Sequence, residues 1–305
     1  MSNDPFSDIL KLANAEPVVT GGFSAGGDWA LHFPARDKIK FFAVVKGRCW
    51  VHLDGEPAPL QFSAGDVGLL AVPRSFVMCS APGLAALDAH ALFSGAGRST
   101  VQLGDGGEFT QIGGHVELDP VRGRLLADVL PPWIQIRADT PHARVFGLLL
   151  DQLVDEKATQ QPGTQLASAQ LTQLLFIQIL RAHLRSGAPM PSGWLRALAH
   201  PRIAPALRLM HAEPGRAWRL EDLAAACAMS RTTFAAHFTA TAGVAPLTYL
   251  TQWRMRLAER ALREENRPVA LIAGALGYTS ESAFSNAFKR VTGLSPRAYR
   301  QAGAT

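Results

Sequence analysis

The last third of the chain carries the side chains best suited to chemistry with a polyanion. Residues 201–305 hold 14 lysines and arginines, 13 of them arginine, against seven aspartates and glutamates, a net charge of +7. Residues 1–200 hold 16 basic and 18 acidic residues, a net charge of −2. This asymmetry favours nucleic acid as the partner of the C-terminal third, and an arginine-rich solvated surface is the alternative.

The basic third also contains an internal repeat with a period of 50 residues. Six residue identities recur at this offset, which is unlikely by chance. They pair Ser230 with Ser280, Phe234 with Phe284, Phe238 with Phe288, Gly243 with Gly293, Pro246 with Pro296 and Tyr249 with Tyr299. Upstream, Leu223-Ala224 matches Ile272-Ala273 at an offset of 49, so one unit has an extra residue in its turn.

Each repeat unit is typical of a helix, a tight turn and a second helix. In the first unit, a short helix over residues 220–226 precedes a second helix that Ser230 caps and Gly243 ends. In the second unit, the short helix covers residues 269–276 and Gly277 supplies the permissive turn residue before an equivalent cap. The proline after each terminal glycine suits the first turn of a following helix.

This pattern is the helix-turn-helix, in which the second helix enters the major groove of DNA. A long helix over about residues 246–264 would join the two units rigidly. Two motifs so joined could enter successive grooves on one face of double-stranded DNA, about 34 Å apart. An ordinary helical bundle with duplicated packing is the alternative.

The second unit carries a recognisable signature: Ile272-Ala273, Gly277-Tyr278-Thr279-Ser280, Phe284, Ser285, Phe288-Lys289-Arg290, Gly293, Ser295-Pro296 and Tyr299-Arg300. Through these residues the chain resembles the AraC family of bacterial transcription regulators, and the resemblance covers about residues 203–302. Upstream, His200-Pro201-Arg202-Ile203 and Trp253-Arg254-Met255 are similar to the members that carry a cupin domain. The resemblance implies a sequence-specific DNA-binding regulator, with RNA polymerase as a further partner if it activates transcription.

The resemblance and helical geometry place candidate DNA contacts on the second helix of each motif. The candidates on and after these helices are Arg231, Thr232, Ala235, Ala236, Glu281, Ser282, Ser285, Asn286, Lys289, Arg290 and Arg297. Asn286 suits a bidentate contact to adenine and Glu281 a contact to cytosine N4. Lys289, Arg290 and Arg297 are expected to bind phosphates.

Two candidates depart from the family pattern. Ala235 and Ala236 stand where family members often place longer polar side chains, so the first recognition helix is expected to contact mainly thymine methyls and phosphates. The arginines of the joining helix are expected to pair with Glu259 and Glu264 instead of DNA.

Short apolar runs broken by glycine and proline predict strands in the first hundred residues. The runs cover residues 41–45, 49–53 and 67–72, and their regular spacing is typical of a small barrel or jelly roll. Residues 47–55, with Val72-Pro73-Arg74, resemble the cupin domain of the same regulators. The expected fold class is therefore α+β and multidomain: an N-terminal cupin-like β-barrel, a helix pair, and an all-α C-terminal domain with two helix-turn-helix motifs.

A barrel of about eight strands can enclose one small ligand, which suggests an effector pocket. Its candidate residues are Trp29, Phe41, Trp50, His52 and Phe62, and core packing is the alternative for each. Cupin enzymes usually hold a metal with three histidines and a glutamate. Here only His52 lies in the first motif, and Val77-Met78 occupy the region where another histidine is expected, so no metal, other cofactor or enzymatic activity is predicted.

Two helices are predicted after the barrel, over about residues 141–157 and 164–186. The second has a broad apolar stripe, wide enough to pack on the barrel and on a second copy of the chain, so a homodimer is expected. The predicted divisions are a sensor domain at 1–139, a helical dimerisation segment at 140–186, a linker at 187–200 and a DNA-binding domain at 201–305. Within the last, the motifs cover about 220–243 and 268–293.

The remaining sequence features favour a cytoplasmic protein. The first ten residues carry Asp4 and Asp8 without a basic flank or an apolar stretch, so no signal peptide is expected. No apolar run reaches the length of a membrane span, and three widely spaced cysteines suit a reducing compartment. Two alternatives remain beside an effector-controlled regulator: a constitutive DNA-binding regulator whose cupin domain only dimerises, and a cupin metal enzyme.

Overall fold

The computed structural model describes residues 4–35, 38–94, 100–119, 122–140, 143–159, 161–265 and 267–302. Contacts divide the chain into two compact units. The β-rich unit comprises residues 15–118 and 130–189, and the helical unit comprises residues 1–14, 119–129 and 190–305. No helix among the described residues combines the length and apolar character needed to cross a membrane.

Elements are numbered along the chain. The strands are β1 Glu16–Ala25, β2 Ala30–Phe33, β3 Ile39–Lys46, β4 Arg48–Leu53, β5 Leu60–Ser63, β6 Val67–Leu70, β7 Phe76–Cys79, β8 Leu87–Asp88, β9 Thr100–Leu103, β10 Phe109–Glu117 and β11 Trp133–Ile136. The helices are α1 Pro5–Leu12, α2 Ala89–Phe93, α3 Arg124–Ala127, α4 Ala143–Thr159, α5 Thr164–Ser186, α6 Trp194–Ala199, α7 Ala204–Ala212, α8 Leu220–Ala226, α9 Arg231–Ala242, α10 Pro246–Glu264, α11 Val269–Ala275, α12 Glu281–Thr292 and α13 Pro296–Ala302.

The strands of the β-rich unit form two sheets. One has the order β11-β6-β3-β10-β1-β9 and the other β5-β4-β7-β2-β8. Alternation places every second side chain on the inner face, as in β4, where Cys49, Val51 and Leu53 are buried. Phenylalanines from both sheets, including Phe23 and Phe62, form a shared core.

This architecture confirms the cupin-like α+β class, with the strands arranged as a jelly roll and not as a closed barrel. No backbone ladder among the described strands joins the two sheets, and the second sheet ends on β5 with four residues and β8 with two. Strands this short form few ladder hydrogen bonds, so the sheets face each other as a jelly-roll sandwich.

A helix pair completes the β-rich unit, with α5 packed on α4, β1 and β11. The buried face of α5 includes Leu175, Phe176 and Ile179. The structure places α5 over the predicted span and α4 over Ala143–Thr159. The predicted first two residues of α4, at 141–142, lie outside the described residues.

The helical unit contains both predicted motifs, and their local sequence explains the helix boundaries. Ser230 Oγ accepts a hydrogen bond from the Thr233 amide at 3.2 Å, and Ser280 Oγ accepts one from the Ala283 amide at 3.1 Å. Gly243 ends α9 with φ of 79°, a left-handed conformation that glycine adopts without a Cβ penalty, and α12 ends in the same way.

The repeated aromatic residues form equivalent cores in the two motifs. Phe234, Phe238, Phe284 and Phe288 are fully buried. The Phe238 ring lies edge-on to Tyr249 at 5.8 Å between centroids, and Phe288 lies edge-on to Tyr299 at 5.4 Å. The 50-residue repeat in the sequence is therefore a repeat of packing, with α10 between the two motifs.

Two segments from the predicted sensor domain pack within the helical unit. Helix α1 buries Phe6, Ile9 and Leu10, and the Phe6 ring lies 6.3 Å from that of Trp194. In the second segment, Arg122 forms ion pairs with Asp119 at 2.9 Å and Glu264 at 3.0 Å. The contact with Trp194 attaches the first segment to the C-terminal helices, and the ion pair with Glu264 attaches the second.

The contacts thus divide the chain differently from the predicted boundaries. Residues 1–14 and 119–129 group with the C-terminal helices instead of the sandwich. Part of the predicted linker is also ordered, because α6 buries Trp194 and Leu195. Such groupings depend on contacts between residues far apart in the sequence, which the local pattern does not encode.

Helix α7 contributes a buried histidine to the helical unit. The His211 ring stacks on Trp253 with centroids 3.9 Å apart, and Nε2 lies 2.8 Å from the Tyr249 hydroxyl. Burial lowers the pKa of His211, although Asp8 at 3.7 Å from Nδ1 acts in the opposite direction. The neutral imidazole is therefore favoured at this position.

Candidate nucleic-acid interface and ligand cavity

Helices α9 and α12 present their unburied faces to solvent. All eleven predicted DNA-contact residues lie in the described chain; ten are on α9 or α12, and Arg297 is on α13. Nine are exposed, and Ala235 and Ser285 are half-buried. The buried phenylalanines determine this orientation, because they hold the opposite face of each helix in the core.

The exposed face of α12 combines polar and cationic side chains. Ser282, Asn286, Lys289 and Arg290 occur at intervals of four, three and one residues, which places them along one side of a helix. An amide that can contact a base edge thus stands one turn before two cations that can contact phosphates.

The matching face of α9 has different chemistry. At the offset of 50 residues, the equivalents are Thr232, Ala236, Thr239 and Ala240, all exposed. None of these four carries a charge or an amide. The two motifs share a fold but offer DNA unequal sets of hydrogen-bonding groups. Thr239 and Ala240 were absent from the predicted contacts, and the repeat offset from Lys289 and Arg290 identifies them.

Two predicted DNA contacts take part in exposed ion pairs. Arg231 lies 2.8 Å from Glu221 of α8, and this hydrogen bond is the main cause of the lowered pKa of Glu221. Arg297 lies 3.8 Å from Glu281. Exposed pairs contribute little to stability, so either arginine can exchange its carboxylate for a DNA phosphate at small cost.

Three arginines of α10 make contacts within the helical unit. Arg256 pairs with Glu259 at 3.1 Å, as the sequence predicts. Arg254 instead donates to the carbonyl oxygens of Pro214 at 2.6 Å and Arg216 at 2.8 Å. Arg263 lies over the Tyr299 ring, 4.8 Å from its centroid.

The β-rich unit contains a cavity of about 400 Å³. Strands β1, β3 and β10 of one sheet, β2 and β7 of the other, and α2 all contribute to its wall. Of the predicted pocket residues, only Phe41 belongs to the described lining. The others lie elsewhere in the unit.

Those four residues occupy three kinds of environment. Trp29 and Phe62 are part of the core between the sheets, and Trp50 is half-buried on β4. His52 is exposed, with Nε2 3.0 Å from the carbonyl oxygen of Glu56. Side chains alternate between the two faces of β4, so Trp50 and His52 lie on the face opposite to that of the buried Cys49.

Glycine pairs on neighbouring strands accompany the cavity. Gly21-Gly22 on β1 face Gly113 and Ile112 on β10, and these three glycines line the cavity with Gly114. A Cβ on Gly114 would lie 2.0 Å from the Val18 carbonyl oxygen, so the strands approach too closely there for a side chain. No strand was predicted at either position, so the two glycine doublets themselves are the sequence signal that could have indicated this cavity.

No group of three or more histidines, cysteines, aspartates and glutamates is placed to hold a metal ion anywhere in the part of the chain that the structure describes. The three cysteines, Cys49, Cys79 and Cys227, are buried free thiols.

Comparison with known proteins identifies a cupin part and a helix-turn-helix part of the chain. A Cupin family model matches residues 4–185 and a Helix-turn-helix domain model matches residues 223–302. An AraC-like transcription regulator of Streptomyces antibioticus is 41% identical over 299 residues, 98% of each chain. The HTH-type transcriptional regulator AlkR of Acinetobacter baylyi is 32% identical over 286 residues, 90% of this chain and 92% of its own.

Among solved structures, the DNA-binding domain of AdpA in complex with a target DNA is 35% identical, with a TM-score of 0.32. The match covers 32% of this chain and 89% of that domain.

The fold and the exposed helices define a DNA-binding protein with two helix-turn-helix motifs and a cupin-like domain. The chain belongs to the AraC family of transcription regulators, as its full-length relatives show. Its class is that of a transcription regulator and not of an enzyme.

Proposed function

We propose that this regulator recognises its operator mainly through α12, while α9 contributes affinity with little base selectivity. The observation that supports this proposal is the difference between the two exposed faces, since only α12 carries an amide and two cations at equivalent positions. A base contact by a bidentate amide discriminates among base pairs, whereas methyl and phosphate contacts discriminate weakly.

Each candidate residue has a proposed role. Asn286 contacts adenine and Glu281 contacts cytosine, with Ser282 and Ser285 at the neighbouring bases. Lys289, Arg290 and Arg297 bind phosphates. On α9, Ala235 and Ala236 contact thymine methyls, and Arg231 and Thr232 bind the backbone. The phosphate contacts supply affinity that falls with salt concentration, and the base contacts supply selectivity.

Replacing Asn286 with alanine is expected to weaken operator binding by about 1–3 kcal/mol and to relax preference at one base pair. The reason is the loss of both hydrogen bonds to the adenine edge. The operator would first be obtained by genome-wide mapping of the binding sites. Gel-shift titrations would then compare the operator with variants changed at each base pair in turn.

Thr232→Ala provides the matched control, because Thr232 has the same exposure on α9 as the outward polar positions of α12. We expect it to change affinity by less than about 1 kcal/mol with the base-pair profile intact. Uniform weakening of the Asn286 variant on every sequence would contradict the role of Asn286. A larger loss from Thr232 would contradict the dominance of α12.

We further propose that a small-molecule effector binds in the cavity of the β-rich unit and controls DNA binding. An effector can do so only by binding more tightly to one of two domain arrangements, which shifts their populations. The concave, mostly apolar lining supports this role. Unchanged DNA affinity across a metabolite panel would favour the alternative of a constitutive regulator.

The exposed apolar side chains of the helix pair support a homodimer. Leu148 on α4 and Leu166 on α5 are 64% and 68% exposed, and Val145 and Leu174 are also exposed. Light scattering of the full chain is expected to give the mass of two copies. The double variant Leu148→Glu, Leu166→Glu is expected to give one copy, because a buried carboxylate without a partner opposes association.

Leu87→Glu is the control for this experiment, since Leu87 is 57% exposed on β8, away from the helix pair in sequence. The control is expected to keep the dimer mass. Monomers from the unaltered chain would contradict the dimer proposal, and dimers from the double variant would contradict the proposed surface.

The proposed setting is the cytoplasm, where promoter DNA and RNA polymerase are available to a regulator of this class. In functional terms, residues 1–139 are proposed as the sensor, 140–186 as the dimerisation segment, 187–200 as the connection and 201–305 as the DNA-binding part.

A further inference from the structure

The chemistry of the cavity lining selects among effector classes. Its apolar wall is largely aromatic and comes from both sheets and α2: the residues are Phe33, Phe41, Phe42, Phe76, Phe93 and Met78. Aromatic walls favour a ring, because offset and edge-on ring contacts add to the burial of apolar surface. The volume of about 400 Å³ lies at the small end of the range of ligand sites.

The charged side chains of the lining are cationic. Lys38 and Lys40 contribute ammonium groups, and no aspartate or glutamate occurs among the described lining residues. Lys38 is exposed, and its Nζ lies 3.0 Å from His115 Nε2 and 3.7 Å from the carboxylate of Glu117. Lys40 is less exposed, donates to the Pro34 carbonyl oxygen at 2.9 Å and lies over the Phe76 ring. A ligand that enters this cavity therefore meets positive charge beside an aromatic wall.

Gln111 adds a hydrogen-bond requirement. Its side chain is 5% exposed and lines the cavity. Its Oε1 atom is buried and has no hydrogen-bond partner within the described chain. A buried acceptor without a donor is destabilising, so a bound molecule that offers an O–H group gains affinity here.

We propose that the cavity takes a small aromatic carboxylate that carries a hydroxyl group. The ring lies among the phenylalanines, the carboxylate binds Lys40 and Lys38, and the hydroxyl donates to Gln111 Oε1. This inference rests on the proposed effector role of the cavity and specifies the chemical class of the effector.

The test is calorimetric titration of the full chain with 4-hydroxybenzoate and 4-hydroxyphenylacetate. Each acid is compared with its amide and with the acid that lacks the hydroxyl. We expect the hydroxy acids to bind at least about 10-fold more tightly than their amides, the discrimination expected of a hydrogen bond to a charged group. This comparison uses the unaltered protein and so does not depend on the folding of any variant.

Variants then assign the two polar contacts. Lys40→Gln is expected to weaken binding of the acids about 10-fold or more, because it removes the charge. Lys46→Gln is the matched control, since Lys46 lies on the same strand and also donates to a backbone carbonyl, that of Gly107, outside the cavity lining. Gln111→Leu is expected to equalise the affinities for hydroxylated and unhydroxylated acids.

Equal binding of acids and amides, or an unchanged affinity in Lys40→Gln, would overturn the proposal. A failure of the anionic class must be distinguished from a failure of the proposed effector role. The same titrations with two neutral ring compounds, benzyl alcohol and naphthalene, make this distinction. If they bind and change the affinity for DNA, the anionic class is wrong while effector control stands. If no probe of either kind binds and DNA affinity is unchanged throughout, both are wrong.

Discussion

Phe284→Ala is expected to lower the free energy of unfolding of the helical unit by about 3–5 kcal/mol. Phe284 is fully buried and is part of the core of the second motif. Its ring lies 5.5 Å from that of Tyr278 and 5.7 Å from that of Phe288, so truncation opens a cavity beside these two aromatic rings. Urea unfolding, followed by circular dichroism and tryptophan fluorescence, measures the change.

DNA binding should fail along with stability in this variant. Asn286, Lys289 and Arg290 depend on the phenylalanine face to direct them outward, so a loosened α12 no longer presents them together. Val291→Ala on the same helix is the control, because Val291 is 37% exposed and its truncation should change stability by less than about 1 kcal/mol. Equal losses from the two variants would show that Phe284 is not a core position.

Gly277→Ala is expected to destabilise the helical unit. A left-handed conformation costs a residue with a Cβ about 1–2 kcal/mol, and we expect the loss here to be larger. Gly277 has φ of 81° in the turn of the second motif. An added Cβ would also lie 2.2 Å from the carbonyl oxygen of Gly215, a backbone atom that cannot move without the chain around it. Urea unfolding again provides the measurement.

The first motif supplies the reciprocal experiment. Ala228 occupies the matching turn position, at the offset of 49, and has φ of 52°. Ala228→Gly is therefore expected to stabilise the unit by about 0.5–1 kcal/mol, since relief of the left-handed strain is partly offset by the greater entropy of glycine in the unfolded chain.

Gly274→Ala controls for the effect of removing a glycine. Gly274 lies in α11, and a Cβ there would meet no atom within 4 Å, so alanine should stabilise by about 0.5–1 kcal/mol. The three variants should thus differ in sign according to backbone conformation and space. Stabilisation by Gly277→Ala would contradict the described turn.

The Phe284 and Gly277 variants both test how one repeated unit positions the two exposed helices, α9 and α12. The helix caps, the buried phenylalanines and the terminal glycines are repeated because the two motifs have the same packing. The exposed positions differ: Ala236 is the repeat equivalent of Asn286, and Thr239 that of Lys289. The proposed dominance of α12 rests on this difference.

The effector proposal has a different basis, because it depends on residues from separate strands. The pairing of β10 with β3 places Gly113 beside Phe42 and Gly114 beside Phe41. This register, together with the pairing of β10 with β1, brings the glycines, Gln111 and Lys40 to one cavity. A shift of one residue would turn these side chains to the other face of the sheet.

The class of protein and the layout of its DNA-binding part can be inferred from the sequence alone. Helix caps such as Ser280, turn residues such as Gly277 and the repeated phenylalanines act within about a dozen residues of one another, and such local interactions leave readable patterns. The net charge of +7 over residues 201–305 then indicated the polyanion partner.

The position of the cavity and the segments that pack in the helical unit are visible only in the folded protein. Trp29 and Phe62 have the same apolar character as Phe41, and only sheet register separates core residues from lining residues. Likewise, Arg122 reaches Glu264 across 142 positions of sequence. Contacts of this range arise from packing of whole elements, so their partners cannot be inferred from the periodicity of any one segment.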